Sequence, residues 1–278
     1  MTSRYDWHLG ASSSILGGWE SHTKEAFSQY ESSSIRYAEF AISREAGLVA
    51  LDFLQHPEKI AALAAENGME LVSFHIPFSN ELSLSNSNAV AWRNAAEITK
   101  ACILAAKNIG IKTMVLHPSR GCYDQYSSRK ALVNQCMEHV GELYAFCESH
   151  GLTLALENMT GQGVCNVPEE MIAFLREFPG LGVCFDTNHP TRIAPEAYLD
   201  TLLRAGMQGR IKAVHISDYD LQEERHWLPG MGKINWPAVI QKLEELEFNR
   251  VFMYEVSRKY TSLAQLSENF ELLITGKL

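Results

Sequence analysis

Eight short, apolar and β-prone runs alternate along this chain with longer amphipathic segments. The runs occupy residues 7–12, 35–42, 71–78, 113–119, 152–159, 181–189, 211–218 and 250–257. Helical patterns are clearest at 89–109, 127–149, 168–177, 195–206, 236–247 and 262–274. Strands that alternate with helices form βαβ units and a parallel sheet. Eight such units in 278 residues predict a single closed (β/α)8 TIM barrel, with residues 1–278 as one domain.

Glycine and proline mark the ends of the predicted helices. Several helical patterns stop at a glycine just before the next strand, and others start at a proline, which suits a first helical turn. The residues concerned are Gly68, Gly110 and Gly151 at the stops and Pro168, Pro195 and Pro237 at the starts. An open doubly wound sheet is the structural alternative. The early turn LGASSSILGG lacks the G-x-G-x-x-G order of a dinucleotide-binding turn, which disfavours that alternative.

Charge and cysteine usage indicate which partners and which compartment are expected. Lys and Arg number 24 against 33 Asp and Glu, for a formal net charge of −9, whereas binding to a phosphate backbone needs a basic surface. Nucleic acid is therefore disfavoured as a partner. The first residues, MTSRYDWHLG, lack a basic start followed by an apolar run, and no run approaches the length of a membrane span, so neither a secretory signal nor a membrane span is expected. The six cysteines form no C-x-x-C pair and indicate reduced thiols in a cytoplasmic protein.

Six of the apolar runs stop at a residue that can bind a metal. Side chains on a strand alternate between its two faces, and the large neighbours of these six residues take the opposite parity. The six are therefore predicted to point into the barrel and to converge at its C-terminal mouth, where barrel enzymes carry their chemistry. They are His75, His117, Glu157, Asp186, His215 and Glu255.

Each of these residues also has a structural explanation. A lone histidine in a strand is more often a hydrogen-bonded core residue, and Asp186 could cap the next helix. A glutamate that ends an apolar strand is harder to explain in this way, because an unpaired buried carboxylate is costly. Together they favour a shared cation held by Glu157, Asp186, His215 and Glu255. Three carboxylates and one imidazole suit Mn²⁺ or Mg²⁺ and accept Zn²⁺ or Co²⁺, and the number of ions stays open.

A further polar segment follows the seventh run, in the sequence ERHWLPGMGKINW at 224–236. It is either a structural loop before a helix or a loop at the barrel mouth that delivers Arg225, His226 or Lys233 to a substrate. Glu224 stands beside them. Both interpretations remain open from the residues alone.

Six motifs occur in a fixed order along the chain: VLHPS, LALENM, FDTNH, VHISD, the H-x-x-P-G-x-G run at 226–232 and YEVS. With these motifs the chain resembles the xylose isomerase-like barrel superfamily, which includes sugar-phosphate isomerases and epimerases, D-tagatose 3-epimerase-like enzymes and endonuclease IV. Individually the motifs are weak, but their order and spacing are specific to the superfamily. The resemblance extends from the first strand to the last helix.

The epimerase-type members imply a metal-dependent isomerase or epimerase of a sugar, sugar phosphate or related carbonyl compound. The resemblance assigns the metal to Glu157, Asp186, His215 and Glu255, and proton transfer to the two glutamates. His189, three residues after the aspartate, would contact the substrate. A metal that bridges a carbonyl and a neighbouring hydroxyl acidifies the C–H bond between them and stabilises an enediolate.

Endonuclease IV implies the main alternative, a zinc phosphodiesterase with a three-zinc site. Nine residues match its ligands: His75, His117, Glu157, Asp186, His189, His215, Glu224, His226 and Glu255. Glu224 stands where that family has aspartate, and the acidic composition opposes DNA binding. The additional histidines and Glu224 are thus either further metal ligands or substrate contacts.

A third interpretation is a barrel that has lost activity and only binds a ligand. The intact carboxylates argue against it. The arginine that the epimerases carry shortly after the histidine of the seventh strand is absent here, where the sequence runs SDYDLQ. This leaves open a free sugar, a phosphorylated sugar or an inositol-like ring as substrate, and isomerisation, epimerisation or dehydration as reaction. Dimers and tetramers are common in such families, so a homo-oligomer is an expectation by analogy.

Overall fold

The eight predicted strands close into one parallel barrel. The computed structural model describes residues 6–16, 22–31, 33–42 and 47–278, with only the backbone for 47–50. Within these ranges each strand pairs in parallel with the next, and the last strand pairs with the first. The strands are β1 His8–Ser12, β2 Tyr37–Ala41, β3 Glu70–His75, β4 Thr113–Leu116, β5 Thr153–Glu157, β6 Gly182–Asp186, β7 Ile211–Ile216 and β8 Val251–Tyr254. The predicted (β/α)8 barrel is confirmed.

Helices follow the strands along the chain. Their bounds are α1 Lys24–Phe27, α2 Gly47–Gln55, α3 Glu58–Glu66, α4 Ala89–Asn108, α5 Arg129–Ser149, α6 Pro168–Glu177, α7 Pro195–Arg204, α8 Trp236–Glu245 and α9 Leu263–Ile274. The six helices that the sequence pattern marks most clearly are α4 to α9, and all of them are present. Among the described residues, no helix is both long and apolar enough to cross a bilayer.

The helix boundaries follow the chemistry of the terminal residues. Pro168, Pro195 and Pro237 lie in first turns, as predicted. The polar loop before α4 ends at Asn88, whose side-chain oxygen accepts the N–H groups of Val90 and Ala91 at 3.0 Å each. The predicted glycine stops have positive φ angles of 64° to 93° and lie at Gly68, Gly110 and Gly151.

Side-chain parity along the strands separates two apolar cores. The main core lies between the strands and the helices and includes the large strand residues of one parity: Phe74, Leu116, Leu156, Phe185, Val214 and Tyr254. A second, small cluster of Val115, Ala155, Cys184 and Ala213 fills the barrel interior below the mouth. The small interior residues leave the upper end of the barrel to the polar groups that terminate the strands. The predicted division of the strand faces is therefore confirmed.

Asp218, directly after β7, organises the loop that leads to α8. Its side chain is fully buried and accepts the backbone N–H groups of Tyr219 at 2.8 Å, Gly230 at 2.8 Å and Ile234 at 3.3 Å. The same carboxylate accepts the indole N–H of Trp236 at 3.0 Å. One side chain thus ties both ends of the loop to the barrel.

The glycines of this loop are required by the close approach to Asp218. Gly230 has a φ of 91° while its N–H points at the carboxylate. A Cβ at Gly232 would lie 2.2 Å from Asp218 Oδ1 and 2.3 Å from the carbonyl oxygen of Tyr219. The P-G-M-G sequence therefore shapes the loop that carries the candidate residues 224–226.

We expect Asp218→Ala to lower the free energy of unfolding by about 1–3 kcal/mol or more, because several buried N–H donors would lose their acceptor. Urea denaturation followed by circular dichroism measures the change. Glu223→Ala is the control, since Glu223 lies in the same loop with its side chain 71% exposed. Exposed ion pairs contribute about 0–1 kcal/mol. Equal destabilisation by both substitutions would contradict the role given to Asp218.

Candidate metal centre

Glu157, at the end of β5, lies at the centre of the barrel mouth with only 1% of its side chain exposed. Its Oε1 lies 3.2 Å from His215 Nδ1 and 3.3 Å from His189 Nδ1. Its Oε2 lies 3.3 Å from His75 Nε2 and 3.1 Å from His117 Nε2. One buried carboxylate therefore contacts four imidazoles, which come from the ends of different strands.

The four predicted metal ligands come together around this carboxylate. One ligand atom each from Glu157, Asp186, His215 and Glu255 lies within 4.8 Å of all the others. His215 Nδ1 is 3.2 Å from Glu255 Oε2 and 3.9 Å from Asp186 Oδ2. The set spans β5, β6, β7 and the residue after β8. A second, overlapping group at the same spacing consists of His75, Glu157 and His215.

Asp186 uses its two oxygens differently. Oδ1 accepts the N–H of Asn188 at 2.6 Å, which forms a local turn after β6. Oδ2 is buried and has no hydrogen-bond partner among the described residues, with His189 Nε2 at 3.6 Å and His215 Nδ1 at 3.9 Å. The capping role considered for this residue is thus a turn rather than a helix cap, and it leaves one oxygen free.

Asn158 fixes the backbone of Asp186. Its side-chain oxygen accepts the N–H of Asp186 at 2.8 Å, and its amide N–H donates to the carbonyl oxygen of Asp186 at 2.9 Å. This reciprocal pair joins the residue after β5 to the end of β6 and holds Glu157 and Asp186 side by side. Asn158 belongs to the LALENM motif, but its role was not predicted from the sequence.

The outer histidines are oriented by backbone carbonyl groups. The Nδ1–H groups of His75, His189 and His226 donate to the carbonyl oxygens of Ile76, Asn158 and Glu255 at 3.0, 2.7 and 2.9 Å. Their Nε2 atoms consequently face carboxylates of the cluster. A ring that is fixed through Nδ1 and directs Nε2 into the site is the usual arrangement for a metal-ligating or substrate-binding imidazole.

The loop after β7 brings Glu224 and His226 to the edge of this cluster. Glu224 Oε1 lies 2.8 Å from His226 Nε2 and 3.8 Å from His189 Nε2. His226 has a φ of 50°, a left-handed conformation that is uncommon outside glycine, and this directs its ring toward Glu255. The structure therefore brings together the nine residues that the sequence analysis considered as ligands or substrate contacts.

Arg225 and Lys233 differ from these nine. Arg225 is exposed, and its Nη2 atom lies 3.1 Å from Asp220 Oδ2 and 3.0 Å from Glu223 Oε2. Lys233 is exposed, its backbone N–H donates to Tyr219 O, and no described contact joins its side chain to the cluster. Arg225 lines the cavity above Glu255, together with His226.

The cluster strongly perturbs its own proton affinities. Burial by itself raises the pKa of Glu157, but the neighbouring His117 and His215 outweigh burial and hold this pKa well below its usual range. Burial raises the pKa of Asp186 to about 6. Burial lowers the pKa of His189, whereas the carboxylates of Asp186 and Glu224 outweigh it and raise this pKa to about 10.

These shifts describe a group of carboxylates that needs compensating positive charge. Burial lowers the pKa of His226, but its contact with Glu224 raises the pKa to about 9. Protonated imidazoles and a divalent cation can supply the same charge, so the two compete for the same groups. The donor set of three carboxylates and one imidazole, with Oδ2 of Asp186 buried and unpaired, fits a divalent cation.

Glu39 on β2 is a component of the site that the sequence analysis missed. Its side chain is fully buried, and Oε1 lies 3.0 Å from His215 Nε2. The hydroxyl of Ser73 donates to Oε2 at 2.8 Å. With a cation bound at Nδ1, His215 would carry its proton on Nε2, the nitrogen that faces Glu39, and a carboxylate behind a metal-ligating imidazole orients its ring. The available signal was a glutamate with interior parity inside the apolar run YAEFA.

A family model described as "Xylose isomerase-like TIM barrel" matches residues 31–275 of this chain. The match covers most of the sequence and includes every residue of the cluster. The chain therefore belongs to the xylose isomerase-like TIM barrel family, as its motifs predicted.

Three proteins that this chain is similar to differ in how they are described. An uncharacterized protein of Methanocaldococcus jannaschii is 26% identical over 188 residues, which are 65% of this chain and 62% of that protein. A probable endonuclease 4 of Acholeplasma laidlawii is 26% identical, over 70% of each chain. The crystal structure of a D-tagatose 3-epimerase-like protein superposes with a TM-score of 0.80 at 19% identity, over 97% of this chain and 98% of the other.

We expect Glu39→Gln to weaken the binding of Mn²⁺ or Co²⁺ by about 10–100-fold, because loss of the carboxylate next to Nε2 leaves the His215 ring less well oriented and less basic. Isothermal titration calorimetry of the metal into chelator-treated protein measures this change. Glu70→Gln, the same substitution at an exposed position of β3, is the control. Unchanged metal affinity in Glu39→Gln would contradict the orienting role.

Proposed function

We propose that this protein is a divalent-metal-dependent isomerase or epimerase of a sugar, sugar phosphate or related polyhydroxylated carbonyl compound. The observation that carries the proposal is the convergence of Glu157, Asp186, His215 and Glu255 within 4.8 Å at the barrel mouth. The fold that the chain shares with a D-tagatose 3-epimerase-like protein supports the same class of reaction by analogy.

Two glutamates are suited to move the proton. Glu157 is the last residue of β5 and Glu255 directly follows β8, so the two side chains enter the cluster from well-separated sides of the closed barrel. Each has a carboxylate oxygen 3.2 Å from His215 Nδ1. We assign one glutamate to remove a proton from the carbon next to the substrate carbonyl and the other to return a proton. Glu255, with 21% of its side chain exposed, is the more accessible of the two.

The remaining groups hold the substrate and control its surroundings. A bound divalent cation would polarise the carbonyl and hydroxyl oxygens and so acidify the intervening C–H bond. His189 and His226 present oriented rings whose Nε2–H groups can donate to substrate hydroxyl groups. We assign His75 and His117 to the same task or to a further ion, because both contact Oε2 of Glu157.

We also propose the compartment, the domain organisation and the kind of partner of this enzyme. All six cysteines are free thiols, which supports a reducing, cytoplasmic environment. We propose residues 1–278 as one barrel domain that acts on a small molecule. A homo-oligomer stays a prediction by analogy. The buried carboxylates argue against an inactive ligand-binding barrel. Burying ionised carboxylates costs free energy, and a protein that neither binds a metal nor catalyses a reaction has no use for them.

An endonuclease IV-like zinc phosphodiesterase is the second candidate function. Two observations favour it: the paired contacts of His75 and His117 with Glu157, and the linked group of His189, Glu224 and His226. Similarity to a probable endonuclease 4 points the same way. The net charge of −9 opposes a DNA substrate.

Solvent exchange tests the isomerase proposal. We expect Mn²⁺-loaded protein in deuterated water to incorporate deuterium next to the carbonyl of at least one member of a panel of ketoses and their phosphates. Glu157→Gln should slow this exchange by about 10²–10⁴-fold at saturating metal, because a proton-transferring group is lost. Glu245→Gln, on α8 and away from the mouth, is the control. The absence of exchange with the whole panel would refute the proposal.

Metal stoichiometry separates the two enzymatic candidates. Elemental analysis of protein purified without chelator should give about one divalent ion per chain for the isomerase, and His117→Gln should retain it. The phosphodiesterase requires about two or three zinc ions, loss of an ion in His117→Gln, and cleavage of a duplex with an abasic site. Protein that holds no metal under these conditions would contradict both candidates.

A further inference from the structure

A cavity of about 560 Å³ opens beside the metal cluster, above β7, β8 and β1. Glu255 is the member of the four-residue cluster that lines it, so a molecule in this cavity reaches the reacting end of the site. Its wall is formed by Ser14, Arg225, His226, Glu255, Val256, Ser257, Arg258, Lys259 and Tyr260. Three of these nine residues are arginine or lysine, in a chain whose formal net charge is −9.

The three cations differ in how much of their charge is already compensated. Arg225 is neutralised by Asp220 and Glu223, both within 3.1 Å. By contrast, neither Arg258 nor Lys259 forms a salt bridge with any carboxylate in the part of the chain that the structure describes. Arg258 donates to the carbonyl oxygen of Leu16 at 3.1 Å, and the ammonium group of Lys259 lies 5.4 Å from the centroid of the Tyr260 ring. Two positive charges therefore remain available in the cavity.

Contacts between the loops after β7 and β8 hold the cavity wall together. The N–H of Ser257 donates to the carbonyl oxygen of His226 at 3.0 Å, which joins the loop after β8 to the loop after β7. The rings of Trp227 and Tyr260 pack edge to face with centroids 6.4 Å apart across the same junction. These contacts fix the backbone on either side of Arg258 and Lys259, whose exposed side chains follow Glu255 by three and four residues in the chain.

We propose that Arg258 and Lys259 form a subsite for a phosphate monoester, so that the substrate of the proposed reaction is a phosphorylated rather than a free sugar. This inference rests on the proposed isomerase or epimerase function. A phosphate monoester carries a charge of about −1.5 to −2 at pH 7, which two uncompensated cations match. A carboxylate brings only one negative charge. The loops after the seventh and eighth strands are a frequent phosphate position in (β/α)8 barrels.

The geometry also orients such a substrate. Its phosphate would lie against Arg258 and Lys259, and its carbonyl end would extend past Glu255 to the metal ligands. The anionic end is thereby kept apart from the buried carboxylates of the cluster. Arginine and lysine differ in kind here, because the guanidinium offers a planar pair of donors and the ammonium a mobile point charge.

Calorimetry with matched ligand pairs tests the subsite. D-Ribulose 5-phosphate and D-ribulose are titrated into Mn²⁺-loaded protein, followed by D-fructose 6-phosphate and D-fructose. We expect the phosphorylated member of at least one pair to bind ten times more tightly or better. In Lys259→Met this ratio should fall by about tenfold, since one charge-assisted contact is lost. Lys107→Met, a lysine in the last turn of α4, is the control and should keep the wild-type ratio.

A second variant, Arg258→Met, and a carboxylate ligand, D-glucuronate, complete the test of the subsite. Arg258→Met should lower the same ratio, although it also removes the contact with Leu16, so Lys259→Met carries the conclusion if Arg258→Met unfolds. Equal affinity for both members of every pair, or equal affinity for D-glucuronate and a sugar phosphate, overturns the subsite. Tight binding of a sugar phosphate that weakens in Lys259→Met supports it, even where deuterium exchange is absent and the proposed function itself fails.

Discussion

The buried carboxylate of Glu157 is the constraint on which the mouth of this barrel depends. An ionised carboxylate with almost no exposure is tolerable only when neighbouring groups supply donors or positive charge. Four imidazoles approach it, and each comes from the end of a different strand or the turn after one. The strand ends must therefore stay in register, because a shift by one residue would turn these side chains onto the opposite face.

The barrel and most of this cluster were predictable because both follow from local periodicity. Phe74 and Tyr254 alternate with His75 and Glu255 along their strands, and a period of two residues assigns them to opposite faces wherever the strand ends. The family resemblance extended the set to His189, Glu224 and His226. The contacts of the last two depend on a loop whose shape is set by Asp218, and no pattern of hydrophobicity describes that shape.

Glu39 was not predicted from local periodicity. It lies within β2 rather than at the end of a strand, and its partner His215 lies on β7, so no local pattern connects them. Its interior parity could have marked it as a buried acid in need of a partner. Arg258 and Lys259 were missed for a different reason: their uncompensated charge is a property of the joined loops, which depends on contacts such as that between Trp227 and Tyr260.

The way Asp218 gathers the loop after β7 has a consequence for how such a protein can diversify. The anchoring contacts of Asp218 fall at Tyr219 and again from Gly230 onward, so the exposed stretch at 222–225 lies between two fixed points. Changes of length or composition in that stretch would alter what lies over the mouth and leave the strand ends in place. Descendants of one barrel can thus acquire new substrates while they inherit the same cluster of strand-end residues.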